Sequence, residues 1–342
     1  MRIVFMGTSP FAADILRRLH RFAAETAGVE LVGVYCQPDR PAGRGHKLVA
    51  PPVKELAATL DLPVAQPLHF REQAEREALR ALHPDVLAVA AYGLILPQAV
   101  LDIPTIGPFN VHASLLPRLR GAAPIERAVM AGDVQTGVTI MRMEAGLDTG
   151  PMLAQKALAI GLDDTGGDLH RELALLGGDL LVEVLADCLA GEPPVPVAQN
   201  ECRATYAAKL TREDGDIDWR LPVREVHARL RGVTPRPGGR AVLDLDGRIL
   251  AVKLTPGRFG RDFAVPFSTL NLPDGAAPAP GTLLGLHRDS LAVACADAAY
   301  LIPELCPAGK KAMPAAAFWN GYLRGVSTAR ALCPGLDNAA SR

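Results

Sequence analysis

The sequence predicts an α/β protein with a mostly parallel sheet, followed by a smaller unit built mainly of strands. Short apolar runs alternate with helical patterns through residue 190, which is typical of a sheet covered by helices. A proline-rich segment then interrupts the chain. After it, apolar runs broken by Pro and Gly follow one short helical pattern at Val223–Arg231, and this change of pattern indicates a second, β-rich domain.

Several apolar runs in the first half are predicted as strands, because each is short and is followed by a turn signal or a helical pattern. The turn after the first run reads Gly7-Thr8-Ser9-Pro10. It holds a single glycine where the dinucleotide fingerprint needs three, so the sequence does not predict an NAD site. The predicted strands are Arg2–Met6, Leu31–Cys36, Asp85–Ala91, Phe109–His112 and Val138–Met143.

The proline-rich segment Gly191–Pro196 marks the clearest boundary, because its prolines cannot continue the preceding helical pattern. Beyond it, Asp246-Gly247 between apolar runs is typical of a two-residue hairpin. Residues 241–305 predict a small β-barrel that contains a loop at 262–281. The predicted domains are 1–190, a linker at 191–210, a barrel domain at 211–325 and a frayed tail at 326–342.

The composition predicts a globular protein with two domains, since the chain has 342 residues, of which 49% are hydrophobic and 21% charged, and a net charge of −1. The longest apolar stretch, Val86–Pro97, is too short to span a bilayer, and the amino terminus has no signal-peptide pattern. We therefore expect a cytoplasmic protein without a membrane partner. The cysteines show no Cys-x-x-Cys spacing, so neither a metal site nor a disulfide framework is predicted.

Asn110, His112 and Asp148 form the candidate catalytic group. If residues 108–112 form a strand, its period of two puts Asn110 and His112 on the same face. The prolines and glycine that follow force a loop, which places the pair at the carboxyl end of the strand, where open α/β sheets bind ligands. Asp148 lies about one crossover later in the chain, and we expect it to return beside them.

An amide, an imidazole and a carboxylate suit acyl transfer to an amine. Negative charge grows on the carbonyl oxygen when the amine attacks, and Asn110 and His112 can both donate an N–H to it. Asp148 can fix the tautomer of His112, favour its charged form and relay the proton that leaves the amine. Ser114 is not predicted to be a nucleophile, because it lacks the Gly-x-Ser-x-Gly elbow.

Each of these residues also has a structural interpretation, which the residues alone leave open. A buried histidine bonded to a backbone carbonyl is commoner than a catalytic one. Asp148 lies between glycines and can be a turn former whose side chain caps its own backbone. Asn110 can simply end a strand. The three polar residues together strengthen the case for a reactive site without excluding these roles.

The segment Gln37–Lys47 indicates a polyanionic partner. Two prolines and two glycines oppose regular structure, while Arg40, Arg44, His46 and Lys47 crowd one short stretch. We expect an insertion that becomes ordered only on a large polyanion. The pair Lys310-Lys311 is a second basic cluster in the more basic half of the chain, with an ordinary solvated surface as the alternative.

Four segments carry a resemblance to a known family. They are NVHASLLPRLRGAAP at Asn110–Pro124, AYGLILP at Ala91–Pro97, QPDRPAGRGHKL at Gln37–Leu48 and PAGKKAM at Pro307–Met313. These segments closely resemble the methionyl-tRNA formyltransferases, and the similarity extends over residues 1–325. The run around His112 is typical of folate-dependent formyltransferases in general, whereas the Gln37–Leu48 segment narrows the resemblance to the tRNA enzymes.

The resemblance implies a fold, a reaction and partners. The fold is an N-terminal Rossmann-like formyltransferase domain followed by an OB-like barrel domain that binds tRNA. The reaction transfers the formyl group of 10-formyltetrahydrofolate to the α-amine of methionine on initiator tRNA and leaves tetrahydrofolate. The implied partner is the acceptor stem of that tRNA, and we expect a monomer that needs no metal.

The resemblance also carries over site residues. It implies that Asn110, His112 and Asp148 are catalytic. Folate contacts, mostly through backbone, are implied at Tyr92, Gly93, Leu94, Ile95, Leu96, Ser114, Leu115, Leu116 and Pro117. Contacts with tRNA are implied at Arg40, Arg44, Lys47, Lys310 and Lys311. The chain departs from the family at Leu119, where an aromatic residue is usual, and at Thr234–Pro237, where the family has an Asn-Pro-Trp-Pro turn; these departures bear on tRNA docking.

Three other functions are alternatives. A formyltransferase acting on a small amine, such as glycinamide ribonucleotide or an amino-sugar nucleotide, would keep the catalytic group but would not need the basic segment or the barrel. A hydrolase of formyltetrahydrofolate is typically joined to further domains. A catalytically silent RNA-binding protein would tolerate loss of the catalytic group, which is complete in this sequence.

Overall fold

The computed structural model describes residues 1–42, 47–258, 263–270, 272 and 277–334. These residues form two compact units. The first unit consists of Met1–Pro124, Gln135–Ala159 and His170–Ala207, and the second of Ile125–Val134, Ile160–Leu169 and the described residues from Ala208 onward. The units interleave along the chain, whereas the sequence predicts contiguous domains. The boundaries at residues 190 and 211 therefore stay a prediction.

The elements of the first unit alternate between strands and helices. Its strands are β1 (Arg2–Gly7), β2 (Glu30–Tyr35), β3 (Arg40–Ala42), β4 (Lys47–Val49), β5 (Val64–Ala65), β6 (Val86–Ala90), β7 (Gly107–His112), β8 (Arg120–Gly121), β9 (Gln135–Arg142), β10 (Met152–Ala159) and β11 (Tyr206–Ala207). Its helices are α1 (Pro10–Glu25), α2 (Pro52–Thr59), α3 (Gln73–Arg80) and α4 (Gln98–Leu101). Two further helices carry residues of both units, α5 (Pro124–Met130) and α6 (Gly166–Ala190).

The central sheet of the first unit has the strand order β10-β9-β7-β6-β1-β2-β5. The five strands from β7 to β5 run parallel, whereas β9 is antiparallel to β7 and β10 is antiparallel to β9. The mostly parallel sheet predicted from the sequence is thus confirmed. All five residues of β6 are buried, as expected for a strand covered on both faces.

Close packing shapes the turn that follows β1. Ser9 caps α1, accepting a hydrogen bond from the Ala12 amide at 3.4 Å, and Pro10 occupies the first turn of the helix. A Cβ added to Gly7 would lie 2.6 Å from the Ala12 Cβ and 2.9 Å from the Ala90 carbonyl oxygen. The single glycine of this turn therefore serves packing between β1, α1 and β6.

The second unit is built mainly of antiparallel strands in two sheets, of order β19-β18-β13-β12-β20 and β14-β17-β16-β15. Its elements are α7 (Val223–Gly232), β12 (Gly239–Leu245), β13 (Arg248–Leu254), β14 (Ala264–Val265), β15 (Leu283–His287), β16 (Ser290–Ala294), β17 (Ala299–Ile302), β18 (Glu304–Pro307), β19 (Met313–Pro314), α8 (Ala315–Phe318) and β20 (Ala329–Leu332). The predicted hairpin is confirmed, since Asp246 and Gly247 join β12 to β13 with φ values of 50° and 86°.

Three segments predicted to lack regular structure contain strands among their described residues. Within 326–342, predicted as a tail, β20 pairs with β12 and buries Ala331. Within 262–281, predicted as a loop, β14 pairs with β17. Strands β3 and β4 of the basic segment pair antiparallel, and Arg40 lies opposite Val49. Short pairs such as these depend on a partner strand, and a local pattern of two to four residues carries little strand signal.

The segment 191–210, predicted as a linker, also differs from that prediction. Its prolines follow the end of α6 as expected. Its later residues pack on the first unit, where β11 pairs in parallel with β8 and the Ala122 amide donates to the Ala207 carbonyl at 2.9 Å. Among the described residues, no helix is long and apolar enough to cross a membrane.

Candidate active site

The end of β7 carries Asn110 and His112, as predicted. Asn110 lies opposite Val89 of β6 and Met141 of β9, and His112 lies opposite Thr139 of β9. The alternation of the strand gives both side chains the same face. His112 is only 5% exposed, while Asn110 is half-buried. Within the described part of the chain, the Asn110 carboxamide has no hydrogen-bond partner, so it is free to bind a ligand.

His112 contacts an acceptor through each ring nitrogen. Its Nε2 lies 3.0 Å from the Leu119 carbonyl oxygen, and its Nδ1 lies 3.7 Å from the Asp148 Oδ2. Because a carbonyl oxygen can only accept, Nε2 must carry the proton in that contact. The structure therefore brings His112 and Asp148 together, although the separation is that of an ion pair rather than a hydrogen bond.

Asp148 is held by the loop that follows β7. Its Oδ2 accepts a hydrogen bond from the Gly121 amide at 2.8 Å. Its φ of 53° lies in the left-handed region, as the turn-former interpretation requires. Among the described residues, however, no amide of its own turn donates to the carboxylate, and its Oδ1 accepts no hydrogen bond. The backbone of Asp148 thus makes a turn while its side chain faces His112.

The loop after His112 is fixed by its own hydrogen bonds. Ser114 is fully buried and its hydroxyl donates to the Arg118 carbonyl at 2.6 Å. The Thr139 hydroxyl donates to the Ser114 carbonyl at 2.7 Å and accepts from the Leu116 amide at 3.1 Å. Leu116 is buried, and Leu115 and Pro117 are half-buried. The Ser114 hydroxyl therefore bonds within its own loop, and its exclusion as a nucleophile stays a prediction.

The turn Ala91–Pro97 is anchored where three parallel strands end. The Tyr92 carbonyl accepts from the Thr8 hydroxyl at 2.7 Å and from the Gln37 Nε2 at 3.0 Å. Thr8 follows β1, Gln37 follows β2 and Tyr92 follows β6. Gly93 has a φ of 77°, and a Cβ there would lie 2.3 Å from the Gln37 Nε2. The left-handed backbone at this position favours glycine.

The side chains of this turn divide between core and surface. Tyr92 and Leu96 are 2% and 6% exposed and belong to the apolar cluster of the sheet, and Leu94 packs against that cluster. Burial raises the pKa of Tyr92. Ile95 is 93% exposed. A folate contact by side chain is therefore available at Ile95, whereas Tyr92 and Leu96 could contribute backbone only.

The predicted tRNA-binding residues lie in both units. Arg40 is exposed in β3, Lys47 lies in β4, and Arg44 lies outside the described residues. In the second unit, Lys310 and Lys311 are exposed in the turn after β18. The start of β3 is anchored by Asp39, whose carboxylate accepts from Lys54 Nζ at 2.8 and 2.9 Å and from Gln66 Nε2 at 2.8 Å.

Sequence reasoning missed several residues beside the candidate site. Arg120 is fully buried and donates to Gln199 and Glu201. Thr205 accepts a hydrogen bond from the Leu119 amide at 2.9 Å. The partners in these contacts lie 79 to 86 residues apart in the chain, so no local sequence pattern predicts them. Among the described residues, no group of His, Cys, Asp and Glu could hold a metal ion.

Comparison with known proteins adds sequence relatives over nearly the whole chain. The profile of the formyl transferase family matches residues 1–185, and that of the formyl transferase C-terminal domain matches residues 209–323. A methionyl-tRNA formyltransferase of Nitratidesulfovibrio vulgaris (strain DP4) is 50% identical over 336 residues, covering 98% of this chain and 96% of that protein. One from Pseudomonas putida (strain W619) is 45% identical, covering 97% and 99%.

Solved structures show the same fold at much lower identity. HypX from Aquifex aeolicus in complex with tetrahydrofolic acid superposes with a TM-score of 0.58 and 18% identity, over 95% of this chain and 48% of that one. The chain therefore spans about half the length of HypX. WlaRD, a sugar 3N-formyl transferase solved with dTDP and 5-N-formyl-THF, superposes with a TM-score of 0.58 and 14% identity, over 91% and 99%. At these identities the likeness concerns the fold alone.

Proposed function

Because the chain belongs to the formyl transferase family, we propose that it transfers the formyl group of 10-formyltetrahydrofolate to the α-amine of methionine on initiator tRNA. The observation that carries the proposal is the group at the end of β7, where the free Asn110 carboxamide shares a strand face with His112 and Asp148 lies 3.7 Å from the ring. The relatives named methionyl-tRNA formyltransferase, at 45–50% identity over nearly the full chain, support the choice of substrate.

In this proposal Asn110 and His112 serve the carbonyl oxygen of the formyl group. As the amine nitrogen bonds to the formyl carbon, that oxygen gains negative charge. The Asn110 amide can donate an N–H to this oxygen without first losing another hydrogen bond, because its carboxamide has no partner within the described structure. The ring of His112 would lie beside the reacting group in a fixed orientation, because its Nε2–H donates to the Leu119 carbonyl.

Asp148 is proposed to transfer the proton from the attacking amine to the folate nitrogen. The attacking amine must lose a proton, and the folate nitrogen must gain one when its bond to the formyl carbon breaks. The Oδ2 of Asp148 already accepts from the Gly121 amide, while its Oδ1 accepts nothing among the described residues. Oδ1 is therefore the oxygen that can take the amine proton and pass it on, so that the proton count balances without a metal.

The folate is proposed to lie along the Ala91–Pro97 turn and the Ser114–Pro117 loop. What supports this placement is that the turn is anchored on Thr8 and Gln37 without a ligand and that the apolar side chain of Ile95 is exposed. Gly93, Leu94, Leu115 and Leu116 would then supply backbone contacts and shape rather than chemistry.

Initiator tRNA is the proposed second substrate. The exposed Arg40 and the neighbouring Arg44 and Lys47 would contact the acceptor stem, and Lys310 and Lys311 would contact phosphates elsewhere on the tRNA. Arg40 would make its contact from a fixed position in β3, since Lys54 and Gln66 hold the neighbouring Asp39. We further propose a monomer acting in the cytoplasm, where aminoacylated tRNA is used for translation initiation.

The test is the choice of acceptor. Purified protein is incubated with 10-formyltetrahydrofolate carrying a labelled formyl group and, in separate reactions, with methionyl initiator tRNA, methionyl elongator tRNA, glycinamide ribonucleotide and an amino-sugar nucleotide. We expect label to enter methionyl initiator tRNA, with far less in the other acceptors. Transfer to a small amine but not to tRNA would replace the proposal with the small-amine formyltransferase.

A single-residue variant tests the tRNA part separately. Arg44→Ala should weaken the use of charged initiator tRNA by about 1–3 kcal/mol, the range for a charged hydrogen bond, and leave folate binding unchanged. Glu55→Ala in α2 is a control that removes a charged side chain of similar length and leaves Arg40, Arg44 and Lys47 in place. Equal KM values for tRNA in Arg44→Ala and wild type would remove Arg44 from the tRNA contact.

A further inference from the structure

Residues 199–207 connect the two loops that hold His112. We propose that Gln199 and Thr205 are positioning residues, which set the His112 ring and the Asp148 carboxylate for formyl transfer. This inference rests on the proposed function and deepens it. The segment was predicted as part of a linker, yet its hydrogen bonds run to both loops.

Gln199 fixes the turn that contains Asp148. Its Nε2 donates to the Asp148 carbonyl at 2.8 Å and to the Gly150 carbonyl at 2.7 Å. Its Oε1 accepts from Arg120 Nε at 3.0 Å and Nη2 at 2.8 Å. Both amide hydrogens and both acceptor sites of the carboxamide are therefore used, and the side chain links the turn at Asp148–Gly150 to the loop at Arg120.

Arg120 determines which way the Gln199 carboxamide faces. A guanidinium group only donates, so the oxygen of Gln199 must face it and the NH₂ group must face the two carbonyls. Arg120 is itself fully buried and is held by Glu201, with Nη1 to Oε2 at 2.9 Å and Nη2 to Oε1 at 2.7 Å. A buried guanidinium without such a partner is costly, so this orientation is strongly maintained.

Thr205 fixes the opposite loop. Its Oγ1 accepts from the Leu119 amide at 2.9 Å, and its carbonyl accepts from the Arg120 amide at 2.8 Å. Leu119 has a φ of 59°, a left-handed conformation that a leucine rarely adopts. The Thr205 hydroxyl therefore helps to hold a disfavoured backbone in which the Leu119 carbonyl lies 3.0 Å from His112 Nε2.

The consequence is that each acceptor facing His112 depends on residues 199–207. The Leu119 carbonyl on Nε2 is tied to Thr205, and Asp148 on Nδ1 is tied to Gln199. Loss of the Thr205 or the Gln199 hydrogen bonds would shift the Leu119 carbonyl or the Asp148 carboxylate relative to the His112 ring. Asn110, His112 and Asp148 would stay chemically intact. Because misplacement by about 1 Å can cost roughly 100-fold in rate, turnover should respond more than substrate binding does.

Two matched pairs of variants separate this role from simple stabilisation. Thr205→Val keeps the shape of the side chain but removes its acceptor oxygen, whereas Thr205→Ser keeps the oxygen. Gln199→Ala removes the carboxamide that contacts both loops. Asn200→Ala removes a neighbouring carboxamide whose oxygen only caps a local turn, accepting from the Cys202 amide at 3.0 Å.

The experiment measures kcat, the KM for each substrate, the pH dependence of kcat and the melting temperature of the full chain. Thr205→Val and Gln199→Ala should lower kcat by about tenfold or more, keep each KM within about threefold and shift a limb of the pH profile. Thr205→Ser and Asn200→Ala should stay within about twofold of wild type in every kinetic measure.

The proposal fails if Thr205→Val and Thr205→Ser have the same kcat and pH profile, or if Gln199→Ala folds and lowers only the melting temperature. If Gln199→Ala does not fold, the threonine pair still decides. Failure of the proposed function is a separate result, because it is read from the wild type: transfer to a small amine instead of methionyl-tRNA would overturn that function, and the same variants measured with that amine would still test positioning.

Discussion

Two buried histidines, His112 in the first unit and His227 in the second, differ in what faces the ring. Both are nearly inaccessible, with 5% and 3% exposure. Each places Nε2 against a backbone carbonyl, that of Leu119 at 3.0 Å and that of Leu162 at 3.2 Å. Burial and a carbonyl partner are therefore common to both, and neither feature marks a reactive histidine.

The partner of Nδ1 distinguishes them. In His227 it contacts the Tyr300 hydroxyl at 3.0 Å, and that hydroxyl accepts from the Gly257 amide at 2.8 Å, so a neutral ring is fully satisfied. Burial, with a smaller contribution from Arg231, lowers the pKa of His227 to about 4. In His112 the same nitrogen faces the Asp148 carboxylate, which can stabilise charge that develops on the ring. The two histidines therefore differ in the acceptor that faces Nδ1, and not in burial.

The largest expected effect tests this contrast directly. His112→Ala and Asn110→Ala should each lower kcat by roughly 10²–10³-fold, the loss seen when an oxyanion donor is removed, with little change in folate binding. His227→Gln should keep kcat within about twofold, because no reacting group is assigned there. The initial rate of labelled formyl transfer is the measurement. If His112→Ala keeps more than about a tenth of wild-type turnover, His112 has no part in the mechanism.

The second prediction concerns stability at His227. Its pKa is lowered in the folded state, so between the two pKa values the unfolded chain binds a proton that the native protein does not bind. The free energy of unfolding should therefore fall as the pH drops from about 6.5 towards 4, by up to about 3 kcal/mol from this residue. His227→Gln should lose that part of the pH dependence, measured by urea unfolding at pH 7, 5.5 and 4. Parallel curves for the two proteins would contradict the assignment.

The third prediction changes the group that faces Nδ1 of each histidine, Asp148 for His112 and Tyr300 for His227. Asp148→Asn should lower kcat by roughly tenfold or more and shift the acidic limb of the pH–rate profile, because an amide cannot stabilise a charged ring as a carboxylate does. Its melting temperature should stay close to that of wild type. Tyr300→Phe should do the opposite, lowering stability by about 1–2 kcal/mol while kcat is kept. An unchanged profile in Asp148→Asn would return Asp148 to the role of a turn former.

The smallest effect is expected at Lys310 and Lys311, for which only a contact with tRNA phosphates is proposed. Lys310→Ala with Lys311→Ala should weaken tRNA binding, measured as KM, by about 1 kcal/mol or less. The salt dependence of that KM should fall by roughly one phosphate contact per lysine. The kcat should not change. A matched double variant of exposed arginines, Arg288→Ala with Arg324→Ala, controls for net charge. Equal salt slopes in the two double variants would assign the lysines to an ordinary surface.

Much of the architecture could be predicted because it depends on local pattern. Continuous apolar runs indicated β1, β2, β6, β7 and β9, and Asp246-Gly247 indicated the hairpin between β12 and β13. The strand period also placed Asn110 and His112 on one face. The approach of Asp148 to His112 was an expectation from chain order that the structure bears out geometrically. The strands, the hairpin and the shared face follow from residues close together in the sequence. Asp148 follows β9, which is antiparallel to β7, so its distance from His112 depends on the tertiary structure.

The sequence by itself determined the fold class and the residue types that could act on a formyl group. Only the tertiary structure decided that Tyr92 and Leu96 are core residues, that β20 completes a sheet and that residues 199–207 hold the loops around His112. The physical reason is that side-chain period reports which face of an element is buried, but not which distant segment buries it. The carbonyl of Leu119, which sets the protonated nitrogen of His112, belongs to a backbone that Thr205 holds from 86 residues away.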